Sequence, residues 1–162
     1  MKIALAQLNQ IVGDIAGNTK RIISIIKKTK VDIIVFPELA VTGYIPQDLL
    51  LKPSFVEGNF NALKKIARYT KHKSAIIGFI EWACENLYNS AAIICNQQII
   101  GIHHKICLPN YAIFDENSKI WKLKYRKTES KKITNNIYFF ECYLNIRIDG
   151  ELIGQISCSR LE

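Results

Sequence analysis

Hydrophobic positions along the chain fall into two periods. Lys2 to Leu8 (KIALAQL) and Val31 to Phe36 are short, nearly continuous apolar runs, which predict buried strands. Between them Ile22, Ile23, Ile25 and Ile26 recur at helical spacing, which predicts a helix capped by Asn18 and running to Lys30. Phe60, Leu63, Ile66 and Ala67 share one face of a second predicted helix, Phe55 to Lys71. Ser74 to Trp82, Tyr88 to Cys95 and Ile99 to Lys105 are β-rich runs joined by the turn-like Glu85-Asn86 and Asn96-Gln97-Gln98. Near the end, Ile137 to Ile146 and Glu151 to Cys158 predict a hairpin about Asp149-Gly150. Strands alternating with helices, then strands in succession, make this an α/β chain. No repeat or linker divides it, and Asn117 to Asn136 is expected to be its least structured part.

Composition narrows the class. A chain of 162 residues with 49% hydrophobic content supports one domain with a real core and is too short for two large ones. No apolar run approaches the roughly 20 residues of a membrane span, and Met1-Lys2 opens no signal-peptide pattern. The expected location is therefore cytoplasmic, with no membrane partner. Cys84, Cys95, Cys107, Cys142 and Cys158 are odd in number and widely spaced, with no CxxC pair or Cys/His cluster. That pattern argues against a disulfide scaffold and a structural zinc, and no metal site is expected. The net charge is +8. Lys119, Lys122, Lys124, Arg126, Lys127, Lys131 and Lys132 face only Glu129 within one segment, which carries +6 and leaves +2 elsewhere. With Trp121 and Tyr125 interleaved, such a stripe suits phosphates. A solvated loop is the simpler reading, so nucleic acid is not an expected partner.

Three positions suggest chemistry. Pro37 ends a strand and leaves Glu38 at its carboxyl end, where α/β proteins gather reactive groups. Lys105 and Cys158 each close a later β-rich run. Amide hydrolysis through a thioester needs a nucleophile, a base to take and return its proton, and a cation or donor for the developing oxyanion. A free cysteine with pKa near ~8.5 is only about 3% thiolate at neutral pH, so a neighbouring group has to activate it. Taken singly, each residue has a plainer reading: Glu38 as a surface carboxylate, Lys105 as an exposed strand end, Cys158 as a small core residue. Cys142, on the preceding strand, competes with Cys158 for the nucleophile's position. His103 and His104 flank the lysine without further ligands at metal spacing.

In order and spacing, VGDIAGNTKRI, FPELAVTGYIPQDLL, NLYNSAAII, HHKICLPNYAIFDE and GELIGQISC resemble the nitrilase (carbon-nitrogen hydrolase) superfamily. Within it the chain is most similar to the N-terminal glutaminase domains of glutamine-dependent NAD+ synthetases, marked by GDIAGN and by YAIFDE six residues after the lysine. The resemblance covers Lys2 to Cys158 and weakens between Asn117 and Asn136. It implies an incomplete α-β-β-α sandwich, the N-terminal portion of such a domain, occupying residues 1–162, with 117–136 a divergent basic loop and the synthetase domain absent. It also implies roles. Glu38 matches the general base, Lys105 the oxyanion-side cation, Cys158 the nucleophile, and Glu116 the second glutamate that orients the lysine. Tyr44 and Tyr111 match positions that hold glutamine. No cofactor belongs to this chain, since ATP and Mg would sit in the synthetase domain. The implied partners are glutamine or another small amide, a separate synthetase chain, and further copies in a homo-oligomer.

Departures from the family pattern matter as much. Relatives carry Glu-Asp after the nucleophile, where this chain has Ser159 and Arg160. Losing a carboxylate that accepts from the substrate ammonium costs about 1.5–3 kcal/mol of recognition. The FDE phrase also runs into Asn117-Ser118-Lys119 in place of an Arg-Tyr-Phe segment. Impaired glutamine hydrolysis is the expectation. A stand-alone amidase acting on another small amide, or a non-catalytic remnant or partner subunit, are the alternatives.

Overall fold

The computed structural model describes residues 1–105 in full and, beyond them, the backbone of four strands. β1 (Ile3–Leu5), α1 (Ile15–Lys28), β2 (Ile33–Val35), a 3₁₀ turn (Gln47–Leu51), α2 (Pro53–Ala67), β3 (Ser74–Ala83), β4 (Asn86–Cys95) and β5 (Gln98–His104) follow in order. They build one sheet of order β1-β2-β3-β4-β5, parallel across the first three strands and antiparallel after them. The mixed sheet with two helices is the α/β architecture that the alternation predicted. β6 (Lys132–Thr134), β7 (Ile137–Phe140), β8 (Tyr143–Ile148) and β9 (Glu151–Ser157) form a second, antiparallel sheet in that order.

Connections between parallel strands cross over right-handedly, so two crossovers advancing the same way place both helices on one face. The core agrees: Ile22, Ile23 and Ile26 of α1 and Leu63 and Ile66 of α2 share a cluster with Ile34, Ala75, Ile77, Phe79, Ala92 and Ile94. Burying each large apolar side chain contributes about 1.5–3 kcal/mol. The alternate residues Ile33, Val35, Ile76 and Ile93 are buried as well, so the central strands are apolar on both faces, which is why they read as continuous runs. Among the described residues no helix is long and apolar enough to cross a membrane.

Several boundaries differ from expectation. β1 is short and lies at the sheet edge, so Ile3 and Leu5 are exposed rather than buried. The β3–β4 turn is Cys84-Glu85, one residue earlier than Glu85-Asn86, and both residues have positive φ (48 and 61). Asn96 and Gln97 (φ 46 and 69) form the β4–β5 turn, and Gln98 already pairs with Cys95. Two consecutive positive-φ residues match the right-handed twist of a hairpin, and Cys-Glu carries none of the usual Asn-Gly signal. The run Ile137 to Ile146 is two strands, β7 and β8, paired with Phe140 opposite Tyr143. β8 and β9 do pair across Asp149-Gly150, with Ile148 opposite Glu151. β6 falls inside the stretch expected to be least structured, because Ile133 and Thr134 belong to a β-branched run able to pair with β7.

Candidate active site at the end of the lysine strand

The loop after β2 is shaped by its glycine neighbours. Phe36 N donates to Ile76 O (2.9 Å) and the ladder then stops at Pro37. Leu39 adopts φ 48, a left-handed conformation costly for a branched residue, and Gly43 N donates back to Leu39 O at 2.9 Å. The loop lies directly on β3 at Gly78. A Cβ there would stand 2.5 Å from Leu39 N, 2.6 Å from Pro37 O and 2.8 Å from Glu38 Cα. Gly43 (φ 77) is pressed in the same way against the segment before α1, where a Cβ would lie 2.7 Å from Val12 Cα.

Asn18 ties these two loops together. Fully buried, its Oδ1 accepts from Ile11 N (3.0 Å), and its Nδ2 donates to Ile11 O (2.8 Å) and Val41 O (3.1 Å). Gly13 N adds a bond to Thr42 O at 2.9 Å. Asn18 is therefore not the helix cap. Asp14 is, with Oδ1 accepting from Gly17 N at 2.8 Å. The GDIAGN and ELAVTGY phrases are two halves of one structure that holds Glu38 in place.

Register brings the lysine to the glutamate. In β3 and β4, Ile80 lies opposite Asn89 and Gly78 opposite Ala91, so Asn89 shares the face on which the Glu38 loop rests. His103 is opposite Ala91, and Lys105, two residues on, donates its backbone N–H to Asn89 O at 2.7 Å. Lys105 Nζ then donates to Glu38 Oε1 at 2.7 Å, and Asn89 Nδ2 to the same oxygen at 2.5 Å. Lys105 is 4% exposed and Glu38 34%. A lysine so deeply buried has to be paired, and the exposed-strand-end reading falls. Both donors meet Oε1, and among the described residues no donor reaches Glu38 Oε2.

The two histidines point to opposite faces. Burial, and then the charge of His104, holds the His103 imidazole down from 6.5 to about 4, so it is neutral at ordinary pH. His104 faces the helix side, where its Nε2 meets Glu81 Oε2 and its ring lies 4.5 Å from that of Tyr88. Among the described residues no group of three or more His, Cys, Asp or Glu side chains is placed to hold a metal ion.

Glu38 and Lys105, predicted together, are thus joined. Tyr44 follows Gly43 on the same loop and is 37% exposed. Cys158, Cys142, Glu116, Tyr111 and the basic stretch 117–131 lie outside the described residues. Asn89 had no role in the sequence reading although NLYNSAAII contains it. Its signal was a buried polar side chain inside an apolar strand, which has to have a partner.

Residues 2–135 match the carbon-nitrogen hydrolase family. The chain belongs to that family. The resemblance carried by the motifs is therefore borne out. It is 40% identical over 121 residues to the glutamine-dependent NAD(+) synthetase of Thermotoga maritima, covering 72% of this chain and 21% of that protein. With the glutamine-dependent NAD(+) synthetase of Aquifex aeolicus it shares 40% over 119 residues, again 72% and 21%. The chain thus spans about a fifth of the length of these relatives. Among solved structures, it is similar to glutamine-dependent NAD+ synthetase from Acinetobacter baumannii in complex with ADP, at TM-score 0.71 and 30% identity, covering 91% of this chain and 26% of that one. An amidase from Nesterenkonia sp. matches at TM-score 0.65 and 18% identity, covering 80% and 49%, which shows the shared fold alone.

Proposed function

We propose that this carbon-nitrogen hydrolase chain is the glutamine-hydrolysing part of a glutamine-dependent NAD+ synthetase. The observation that carries the reading is the buried Lys105 paired with the partly exposed Glu38 and joined there by Asn89 at the end of the lysine strand. The naming of the relatives supplies the substrate.

In this reading Glu38 takes the thiol proton of Cys158 through Oε2, the oxygen that Lys105 and Asn89 leave unbound. The thiolate attacks the side-chain amide carbon of glutamine, and Lys105 stabilises the oxyanion as the tetrahedral centre forms. The C–N bond breaks, Glu38 returns the proton to the leaving nitrogen, and ammonia departs from a γ-glutamyl thioester. Water, deprotonated by Glu38, then resolves the thioester to glutamate and free thiol. Glu116 orients Lys105, and Tyr44 and Tyr111 hold the substrate. Ammonia passes to an adenylated precursor in a synthetase part, in the same protein or a separate chain, and ATP and Mg belong there. Ser159, standing where relatives carry a carboxylate, weakens glutamine recognition by about 1.5–3 kcal/mol, which raises KM roughly ten- to a hundredfold.

The test is ammonia release from glutamine by the purified chain, compared with Cys158→Ala and Lys105→Met. Turnover that is lost in both variants supports the reading. Turnover that survives Cys158→Ala, or faster hydrolysis of a simple aliphatic amide than of glutamine, refutes it.

A further inference from the structure

We propose that Glu81 and His104 form a positioning pair for Lys105, acting from the opposite face of the sheet. The proposal rests on the reading above in that Lys105 is taken as the reactive cation.

The register of β5 is not settled by its hairpin. The Asn96-Gln97 turn sets Cys95 opposite Gln98 and Ile94 opposite Ile99, but Ile93 then pairs with Gly101, so Ile100 is an extra residue in the strand. Beyond such a bulge, the faces to which the following side chains point depend on whether the bulge is kept. A slip of one residue would send every later side chain to the other side. Lys105 would then face the helix layer, and His104 would stand where Lys105 meets Glu38. Apolar contact contributes to the choice, since Ile102 packs on the helix-side core. Gly101 adds no side chain to either face.

The polar contacts act where the choice matters, at the last two residues. His104 is 6% exposed and pairs with Glu81, whose side chain is 16% exposed. Ser90 Oγ donates to the same Glu81 oxygen at 3.3 Å. Ser90 lies directly opposite His104 on β4, and Glu81 lies on β3, so the pair reaches across the intervening strand and ties β5 to the centre of the sheet. A buried polar pair is a poor source of net stability, because desolvating both groups offsets their attraction. It does supply direction. With His104 held toward Glu81, alternation along the strand turns Lys105 toward Glu38.

The experiment follows the side-chain ammonium resonance of Lys105 in protein labelled with nitrogen-15 lysine, assigned by its loss in Lys105→Arg. Glu81→Ala and His104→Ala are expected to displace and broaden it, and His104→Gln, which keeps a donor toward Glu81, to restore it. In turnover, the alanine variants should lose roughly tenfold to a hundredfold in kcat with KM within about twofold, because the cation is misplaced while the substrate pocket is intact. Should the single variants unfold, Glu81→Leu with His104→Leu replaces the pair by an apolar one of similar bulk. A native Lys105 resonance in that folded double variant, or in either folded alanine variant, overturns the proposal. The resonance requires no turnover, so a wild-type chain that releases no ammonia from glutamine would refute the function reading and leave this test intact.

Discussion

Alanine in place of Gly78 and alanine in place of Gly58 should change stability in opposite directions. At Gly78 the new Cβ meets three backbone atoms of residues 37–39 at 2.5–2.8 Å. None of them is the end of a flexible side chain, so the Glu38 loop has to lift by roughly 0.6–0.9 Å to restore ordinary contact. Overpacking of this kind costs about 1–3 kcal/mol, against which removing a glycine from the unfolded chain returns about 0.5–1. The net expectation is a loss of about 1–2 kcal/mol, or about 2–8 °C in Tm for a chain of this size. At Gly58, inside α2, the nearest atom to an added Cβ is Ile15 Cδ1 at 3.6 Å, an ordinary contact. Gly58→Ala should therefore stabilise by about 0.5–1 kcal/mol through helix propensity and lower unfolded-state entropy. Urea unfolding of both variants, with m checked for constancy, measures the two signs. Gly78→Ala also shifts Glu38, and a misplacement approaching 1 Å is worth up to ~10²-fold in rate, so amide hydrolysis should fall more than stability alone explains. A Gly78→Ala protein as stable as wild type, with the Lys105–Glu38 contact unchanged in a crystal structure, would refute the claim that backbone rests on backbone at this point.

Two further outcomes follow from the same geometry. Asn18→Ala removes two partly buried hydrogen bonds to Ile11 and one buried hydrogen bond to Val41, so unfolding free energy should fall by about 1–3 kcal/mol; a loss under about 0.5 kcal/mol in a urea titration would show that the loops hold each other without it. His103 protonates near 6.5 when unfolded and near 4 in the fold, so between those values the unfolded chain binds more protons. Its contribution is complete above pH 6.5 and is lost as pH falls toward 4, on the order of 3 kcal/mol in total, and His103→Leu should flatten that part of the stability profile; an unaltered slope counts against a buried neutral imidazole.

Much of this protein is legible along the chain because the forces involved are local. Apolar periodicity located both helices and the central strands, since a buried face has to repeat every 3.6 or every 2 residues. Pro37 marked where a strand stops, and the phrases around Glu38 and Lys105 were enough to pair them before any geometry was known. Asn18 reads as a helix cap because its type suits one, while the three groups it bonds lie on loops 7 and 23 residues away. Lys2 to Leu8 reads as a buried strand although Leu5 is exposed, because apolar pattern does not say which strand will be at the edge of the sheet.

Only the folded chain decided how the site is held. Gly78 looks like any strand glycine until the Glu38 backbone is laid on it, and Asn89 looks like a stray polar residue until Lys105 and Glu38 converge on it. The face that Lys105 occupies depends on one extra residue, Ile100, in the pairing of β5. The sequence by itself singled out Glu38 and Lys105 and located both helices and the central strands, because residue type and spacing act locally. Tertiary structure alone decided register, burial and the meeting of residues 51 and 67 positions apart, because those depend on which surfaces exclude water together.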